Sequence, residues 1–219
     1  MMPPRPELVK LKIPHGTFPM PLPARAPDLK INPEIDRLLY QVDVIVQEAE
    51  GLVDKINNEQ FNWSPAPGKW SLAENLDHLN VANGLMMTTI SVGITKARAE
   101  GLLSEGPFTY GFLSRYFYRK IQPPVKMRFS APRHFWPKNA ESKQADIGQV
   151  MGEFQASHER LKQLMISANG VDLAGIKVIS PAASWVRYEL GMAMWILCGH
   201  DRRHLWQARN VRNHTGFPK

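Results

Sequence analysis

The chain has 219 residues, of which 43% are hydrophobic, and it carries a formal net charge of +7 at neutral pH. This length predicts one domain, or one domain with an arm. No apolar run reaches the roughly 18 residues that a membrane span needs, so we predict no transmembrane helix and no membrane insertion. The positive charge permits binding of nucleic acid or an anionic substrate, but it requires neither.

The cysteine content indicates the compartment. The one cysteine, Cys198, excludes an intramolecular disulfide framework and favours a reducing environment. Residues 1–12 are interrupted by proline and lysine and lack the apolar centre of a signal peptide. We therefore predict a cytoplasmic protein.

Residues 1–32 are predicted to form an extended arm, and residues 33–219 the folded domain. Half of the chain's 18 prolines lie between Met1 and Pro33. Proline lacks an amide donor and disfavours helix in the residue before it, so this stretch should be extended. It also carries several large apolar side chains. We expect it to lie across the domain or across a partner subunit.

The first predicted helix begins at Asn32, which serves as its N-cap, with Pro33 in the first turn. Apolar residues then recur at helical spacing, and the helix should end near Asn57 and Asn58. A turn-rich stretch with two tryptophans follows, from Phe61 to Trp70.

The second predicted helix begins at a capping box. Ser71 is followed three residues later by Glu74, a spacing in which each side chain caps the other's backbone amide. The apolar stripe of this helix runs to about Gly101. His78 lies on the flank of that stripe, between apolar neighbours.

Residues 106–140 form a basic, aromatic insert without a single acidic residue. A short helix is predicted from Phe112 to Ile121, and prolines keep the remainder irregular. The favoured interpretation is that the aromatic residues pack over one end of the domain. The alternative is a non-enzymatic binding module for nucleic acid or another anionic partner, in which aromatic rings stack and cations hold phosphates. An anionic membrane surface is a further alternative.

Two more helices complete the domain. One is predicted over residues 142–168, with Asn169-Gly170 as its stop signal. A connection over residues 171–181 follows, with some extended structure at 177–179. No proline occurs between Pro181 and Pro218, so the last helix can occupy most of that interval. Four long amphipathic helices without strand periodicity predict an all-α four-helix bundle with long connections.

The last helix carries a histidine pair. His200 and His204 are four residues apart and therefore lie on one helical face. That face continues through Ile196 and Ala193, which indicates that it points into the bundle. Neutral imidazoles suit zinc-like ions, and three protein ligands leave a position open for water or substrate. Cys198 lies on a different side of the helix and is interpreted as core.

The third ligand must come from another helix, and His78 is the preferred candidate. His158 is the second candidate, although a hydrogen-bonded core role is favoured for it. Gln207 and Asp77 are candidates for supporting a ligand through a hydrogen bond. Glu74 is better explained by its capping role.

Zinc, nickel, iron and manganese all remain possible metals, since imidazoles discriminate weakly among them. Arg202 and Arg203, which lie within the same segment, are interpreted by default as solvated side chains. Salt bridges to acidic residues of the bundle, and contact of one arginine with a substrate anion, are the alternatives.

Three segments resemble the DinB-like, or YfiT-like, family of metal-dependent hydrolases. Residues 68–79 match the family's Trp-Ser-x-x-Glu-x-x-x-His-Leu pattern, and residues 200–207 match its His-x-x-Arg-His-x-x-Gln pattern. The connector at 172–181 and the tail at 216–218 are similar to those of many members. The likeness covers residues 34–218.

The resemblance implies metal ligands at His78, His200 and His204 and a bundle that is often dimeric. Members with known activity are S-transferases or isomerases that use small thiols such as bacillithiol or mycothiol. We therefore predict a homodimeric metal-dependent thiol S-transferase or hydrolase that acts on a small molecule. Nucleic acid is not the expected partner.

Overall fold

The computed structural model describes residues 30–125, 132–138 and 144–219, and these residues fold mainly into helices. The helices are α1 (Pro33–Val53), α2 (Asn58–Asn62), α3 (Leu72–Ala99), α4 (Phe112–Ile121), α5 (Ile147–Ser167) and α6 (Leu190–Arg212). A 3-10 turn spans Arg133–Phe135. Strands β1 (Lys177–Ser180) and β2 (Ala183–Glu189) pair as an antiparallel hairpin.

The four long helices α1, α3, α5 and α6 enclose one hydrophobic core. Helices α1 and α3 each pack against both α5 and α6, which is the arrangement of a four-helix bundle. Each long helix presents an apolar stripe to the shared interior. The fully buried side chains include Ile35, Leu38, Leu76, Leu79, Phe154, Leu161, Leu197 and Leu205. The predicted all-α fold class is confirmed.

Within residues 30–125, 132–138 and 144–219, every helix falls short of the length or the hydrophobicity needed to cross a bilayer.

The predicted starts of α1 and α3 are confirmed. The Asn32 side chain accepts a hydrogen bond from the Glu34 amide, and Pro33 occupies the first helical position. Ser71 and Glu74 form the reciprocal capping box at the start of α3, with hydrogen bonds of 3.1 and 2.8 Å. Cap residues satisfy amides that the helix leaves without an internal partner. Local sequence therefore sets these boundaries.

Two other boundaries differ from the prediction. Helix α1 ends at Val53 instead of near Asn57, because a second capping box at Asn57 and Gln60 begins the short helix α2. Helix α5 begins at Ile147, capped by Asp146, whereas the predicted start at residue 142 lies outside the described residues.

The extended structure predicted at residues 177–179 is present as part of β1, whereas a strand at residues 183–189 was not predicted. They form β2, so α6 begins only at Leu190. Tyr188 and Val178 are buried on the inner side of the hairpin. Gly93 of α3 lies against Val178, and a side chain there would clash with it. The sequence between Pro181 and Pro218 contains no proline and would allow a helix to start there. Packing of the hairpin against α3 instead holds residues 183–189 in a strand.

The predicted arm lies outside the described residues except for its last three positions. Residues 31–219 form one unit, and the boundary between arm and domain stays a prediction. In the insert, α4 covers the predicted range of Phe112–Ile121. Lys126, Arg128 and Phe129 lie outside the described residues.

Candidate metal centre

Three histidine rings meet where α3 packs against α6. His78 comes from α3, and His200 and His204 come from successive turns of α6. The ring centroids of His78 lie 5.1 Å from His200 and 4.4 Å from His204, and those of His200 and His204 are 4.6 Å apart. The rings thus form a nearly equilateral triangle.

The nitrogen atoms of this triangle are close enough to share one ion. Each ring offers one nitrogen, and all three lie within 4.8 Å of one another. The Nε2 atoms of His78 and His200 are 3.4 Å apart. Tetrahedral zinc, with ligands at about 2.0–2.1 Å, places its donor atoms about 3.3 Å apart. The spacing and the donor chemistry therefore fit a small divalent cation.

A backbone carbonyl orients His78. The Nδ1 atom of His78 lies 2.6 Å from the carbonyl oxygen of Phe135, in the 3-10 turn. A carbonyl can only accept, so Nδ1 carries the proton and Nε2 keeps its lone pair. Metal-binding histidines commonly use such a bond to select the tautomer that binds.

Asn75 orients His204 in the same way. The Nδ1 atom of His204 lies 3.1 Å from Asn75 Oδ1, and the Asn75 amide nitrogen donates to the Ser71 carbonyl at 2.8 Å. The second bond fixes which end of the amide faces the histidine. Asn75 is 1% exposed, so water does not compete for these bonds.

Sequence reasoning missed both supporting groups. Asn75 precedes His78 by three residues and so lies on the same face of α3, which was an available signal. The carbonyl of Phe135 had no signal, because any residue type provides one.

The electrostatics keep the imidazoles neutral. Burial, with a smaller contribution from the nearby His78 and Arg203, lowers the pKa of His200 to about 3. Burial lowers the pKa of His204 well below its ordinary value, and the two other histidines add to the effect. Burial also lowers the pKa of His78, against the opposing influence of its bond to Phe135. Neutral imidazole is the form that binds a metal.

The three histidines differ in their exposure. His78 and His204 are buried, whereas His200 is half-buried. Trp70 forms an aromatic wall, with its ring 4.8 Å from His78 and 5.7 Å from His204. His200 is therefore the most exposed of the three residues.

Comparison with known proteins decides the family. A family model described as the DinB superfamily matches residues 41–208. The chain belongs to the DinB superfamily. No curated protein and no solved structure gives a significant match. The predicted family resemblance is confirmed, and all three clustered histidines lie within the matched range.

The remaining predicted residues of this DinB-superfamily protein lie around the triangle. His158 is buried outside it, with Nδ1 2.8 Å from the Phe154 carbonyl and Nε2 3.3 Å from Asp201 Oδ2. The favoured core interpretation of His158 agrees with these contacts. Asp77 is buried beside His78, and Gln207 is half-buried one turn after His204.

The solvated interpretation of the two arginines was wrong. Arg203 is 5% exposed. Arg202 is half-buried and donates hydrogen bonds to Gln41 and, at 3.1 Å, to the Tyr118 hydroxyl. These contacts hold α6 to α1 and α4, because the long guanidinium groups reach across the helix interfaces.

The aromatic residues of the 106–140 insert fall into two groups. Phe108, Phe117 and Tyr118 pack against the core, Phe135 is buried, and the Tyr110 hydroxyl donates to Glu34 at 2.6 Å. Phe112, Tyr116 and Trp136 are exposed. The favoured packing interpretation therefore holds for the first group, and the second remains available at the surface.

Proposed function

We propose that this protein binds one divalent metal ion through His78, His200 and His204 and is a metal-dependent thiol S-transferase or hydrolase. The observation that carries the proposal is the triangle of three neutral imidazoles with nitrogen atoms within 4.8 Å. Three protein ligands leave a coordination position free, as in catalytic zinc sites, whereas structural zinc sites use four. Family membership supports the same assignment.

The metal would supply a positive charge that lowers the pKa of a thiol or water bound at the free position. The protein's own part is to hold three lone pairs toward one point. The Phe135 carbonyl and the Asn75 amide do this for His78 and His204. Trp70 shields one side of the site from water.

The chain's own cysteine is a poor source of the thiol. Cys198 is fully buried, and burial raises the pKa of its thiol above the ordinary value. A thiolate is the reactive form of cysteine, so a thiol that stays protonated inside the core is inert. A small-molecule thiol entering beside His200 therefore fits the structure better than an internal nucleophile.

The metal choice remains among zinc, nickel, iron and manganese. Three imidazoles bind each of these ions. A homodimer and a cytoplasmic location stay predictions from the sequence.

The test compares untagged wild-type protein with His204→Ala and with His214→Ala. His214 is an exposed histidine just after α6, so its variant controls for the loss of an imidazole. Metal content is measured by mass spectrometry, and turnover is measured with a panel of small thiols and electrophiles. We expect metal and turnover in wild type and His214→Ala, and neither in His204→Ala.

Two outcomes would count against the proposal. One contradicts the metal site, and the other contradicts only the enzymatic activity. Unchanged metal content in His204→Ala would show that His204 is not a ligand and would contradict the proposed metal site. Bound metal without turnover of any thiol or hydrolysable substrate in the panel would remove the enzymatic part and retain the metal centre.

A further inference from the structure

The outward face of α4 is apolar and cationic throughout. The inner face of this helix carries the buried side chains of Ser114 and Ile121, and Phe117, which stacks on Tyr188 at 5.8 Å. At about 100° per residue, six other positions cover roughly 160° of the opposite face. These exposed residues are Phe112, Leu113, Arg115, Tyr116, Arg119 and Lys120.

The apolar residues on this face are large and well exposed. Phe112 is 75% exposed, Leu113 76% and Tyr116 48%. The Phe112 and Tyr116 rings stack at 6.1 Å, and Lys120 Nζ lies 5.2 Å above the Tyr116 ring. They form one continuous stripe. Contiguous exposed apolar surface of this kind usually marks an interaction site, unlike scattered single residues.

The outer side of the β1–β2 hairpin has the same chemistry. Trp185 is 80% exposed and Ile179 is 49% exposed, and Ile179 pairs across the strands with the exposed Arg187. Lys177, two residues before Ile179, is exposed as well. Tryptophan, with an apolar ring and a polar N–H, is favoured where an apolar and an aqueous phase meet.

One buried carboxylate joins the two elements. Glu189, at the end of β2, accepts hydrogen bonds from the Ser114 hydroxyl at 2.5 Å and from the Gly111 amide at 3.2 Å. Glu189 is buried, so its carboxylate is not part of the outer surface. These bonds join the start of α4 to the end of β2, and we call the outward sides of the two elements together the α4–hairpin surface.

The occupant of such a surface must be both apolar and anionic. The outward residues named above are either apolar or cationic. Aliphatic side chains such as Leu113 and Ile179 cannot stack on bases, which argues against nucleic acid. A second copy would place cations against cations, which costs free energy. Phospholipid bilayers with anionic headgroups meet both requirements.

We propose that the α4–hairpin surface docks this protein peripherally on a bilayer that contains anionic phospholipid. Phe112, Leu113 and Trp185 would enter the headgroup boundary, and the arginine and lysine side chains would meet the lipid phosphates. This placement does not depend on the metal centre.

The first experiment is sedimentation of the full-length protein with vesicles. One set contains phosphatidylcholine alone, and the other contains phosphatidylcholine with phosphatidylserine. We expect binding only to the second set, with affinity falling as salt rises because salt screens the attraction. The emission of exposed Trp185 should shift to shorter wavelength on binding, and Trp185→Phe should lack that component.

Variants separate the two contributions. Arg115→Gln with Arg119→Gln should weaken binding by about 30-fold, since each cation near an anionic surface contributes about 1 kcal/mol, or about fivefold. Phe112→Ser with Leu113→Ser should abolish sedimentation. Val92→Ser is the matched control, because Val92 is an apolar residue of α3 that is 64% exposed. Circular dichroism of every variant checks that the fold is retained.

Three results would overturn this inference. Equal binding to both vesicle sets, or no binding to either, would exclude anionic phospholipid as the ligand of the α4–hairpin surface. Binding to a single-stranded oligonucleotide but not to vesicles would assign the surface to nucleic acid. Self-association of the wild type that is lost in Phe112→Ser with Leu113→Ser, without vesicle binding, would assign the surface to a second copy.

Discussion

The protein contains two kinds of buried histidine, and they differ in what their ring nitrogens meet. His158 has a protein acceptor at both nitrogens, the Phe154 carbonyl and the Asp201 carboxylate. His78 and His204 each have an acceptor at Nδ1, while a second nitrogen faces neighbouring imidazoles. All three are at most 7% exposed, so burial does not distinguish them.

The difference shows what makes a buried histidine a candidate ligand. A ring whose two nitrogens both face groups of the protein core directs neither nitrogen at a shared point, and it serves the core. A ring that donates a hydrogen bond from one nitrogen keeps a lone pair on the other nitrogen, and that lone pair is available to bind a metal ion. Two such rings, His78 and His204, lie with His200 around one point and form the candidate metal site, and the distinction predicts opposite responses to substitution.

The largest expected effect is on metal affinity. His200→Ala removes one of three ligands, and we expect zinc to bind at least about 1,000-fold more weakly, a loss of about 4 kcal/mol. His158→Gln should change affinity by less than about threefold, since this ring has no free nitrogen. Competition with a chromogenic chelator measures both values. Equal losses in the two variants would erase the distinction between the two kinds of histidine.

The next effect is on stability, and it should be larger for His158. Replacement of His158 by leucine leaves Asp201 buried without its partner, and Asp201 Oδ1 already has no hydrogen-bond partner within the described residues. We expect a loss of about 3 kcal/mol in the free energy of unfolding, because an unpaired buried charge is costly. Urea denaturation of the metal-free protein measures it.

The double variant tests the cause of that loss. His158→Leu with Asp201→Leu removes the unpaired charge and should recover most of the stability. A double variant as unstable as the single one would show that packing, and not charge, dominates at this position.

A smaller effect is expected when a supporting residue is removed. Asn75→Ala deletes the acceptor that fixes the His204 tautomer, and we expect about 10- to 100-fold weaker metal binding. Asn75→Asp retains an acceptor for His204 but loses the donor to the Ser71 carbonyl, so it should lose less affinity than Asn75→Ala without reaching wild type. Asn80→Ala is the matched control, because Asn80 lies on the same helix and donates to the Val150 carbonyl. Equal metal affinities in Asn75→Ala and Asn80→Ala would show that Asn75 does not position His204 for metal binding.

The smallest effect concerns pH in the metal-free protein. The pKa of His200 is about 3 in the folded state, below the value of about 6.5 expected when unfolded. The unfolded chain therefore binds the proton more readily, and stability falls as pH drops below about 6.5. For His200 the loss between pH 8 and pH 6 is about 1 kcal/mol.

Thermal or urea unfolding at the two pH values checks this prediction. His200→Gln cannot take up that proton, so its pH dependence should be shallower than that of wild type. A steeper dependence in the variant would contradict the assigned direction of the pKa shift.

Local sequence patterns predicted the helices well, because helix caps and apolar spacing depend only on residues that are close in the chain. Asn32 with Pro33, and Ser71 with Glu74, began helices as predicted. The hairpin was largely missed, because β2 owes its form to burial of Tyr188 and to the close approach of Gly93 and Val178. Those contacts join residues far apart in the chain.

For the site, the sequence by itself determined that His200 and His204 share a face of one helix, since a spacing of four is a property of the helix alone. Only the tertiary structure decided that His78 meets them and that His158 is bound to Asp201 instead. It also decided that Asn75 and the Phe135 carbonyl hold the rings in place. The physical reason is that helix periodicity shows which residues point inward, whereas packing of α3, α5 and α6 determines which inward residues meet.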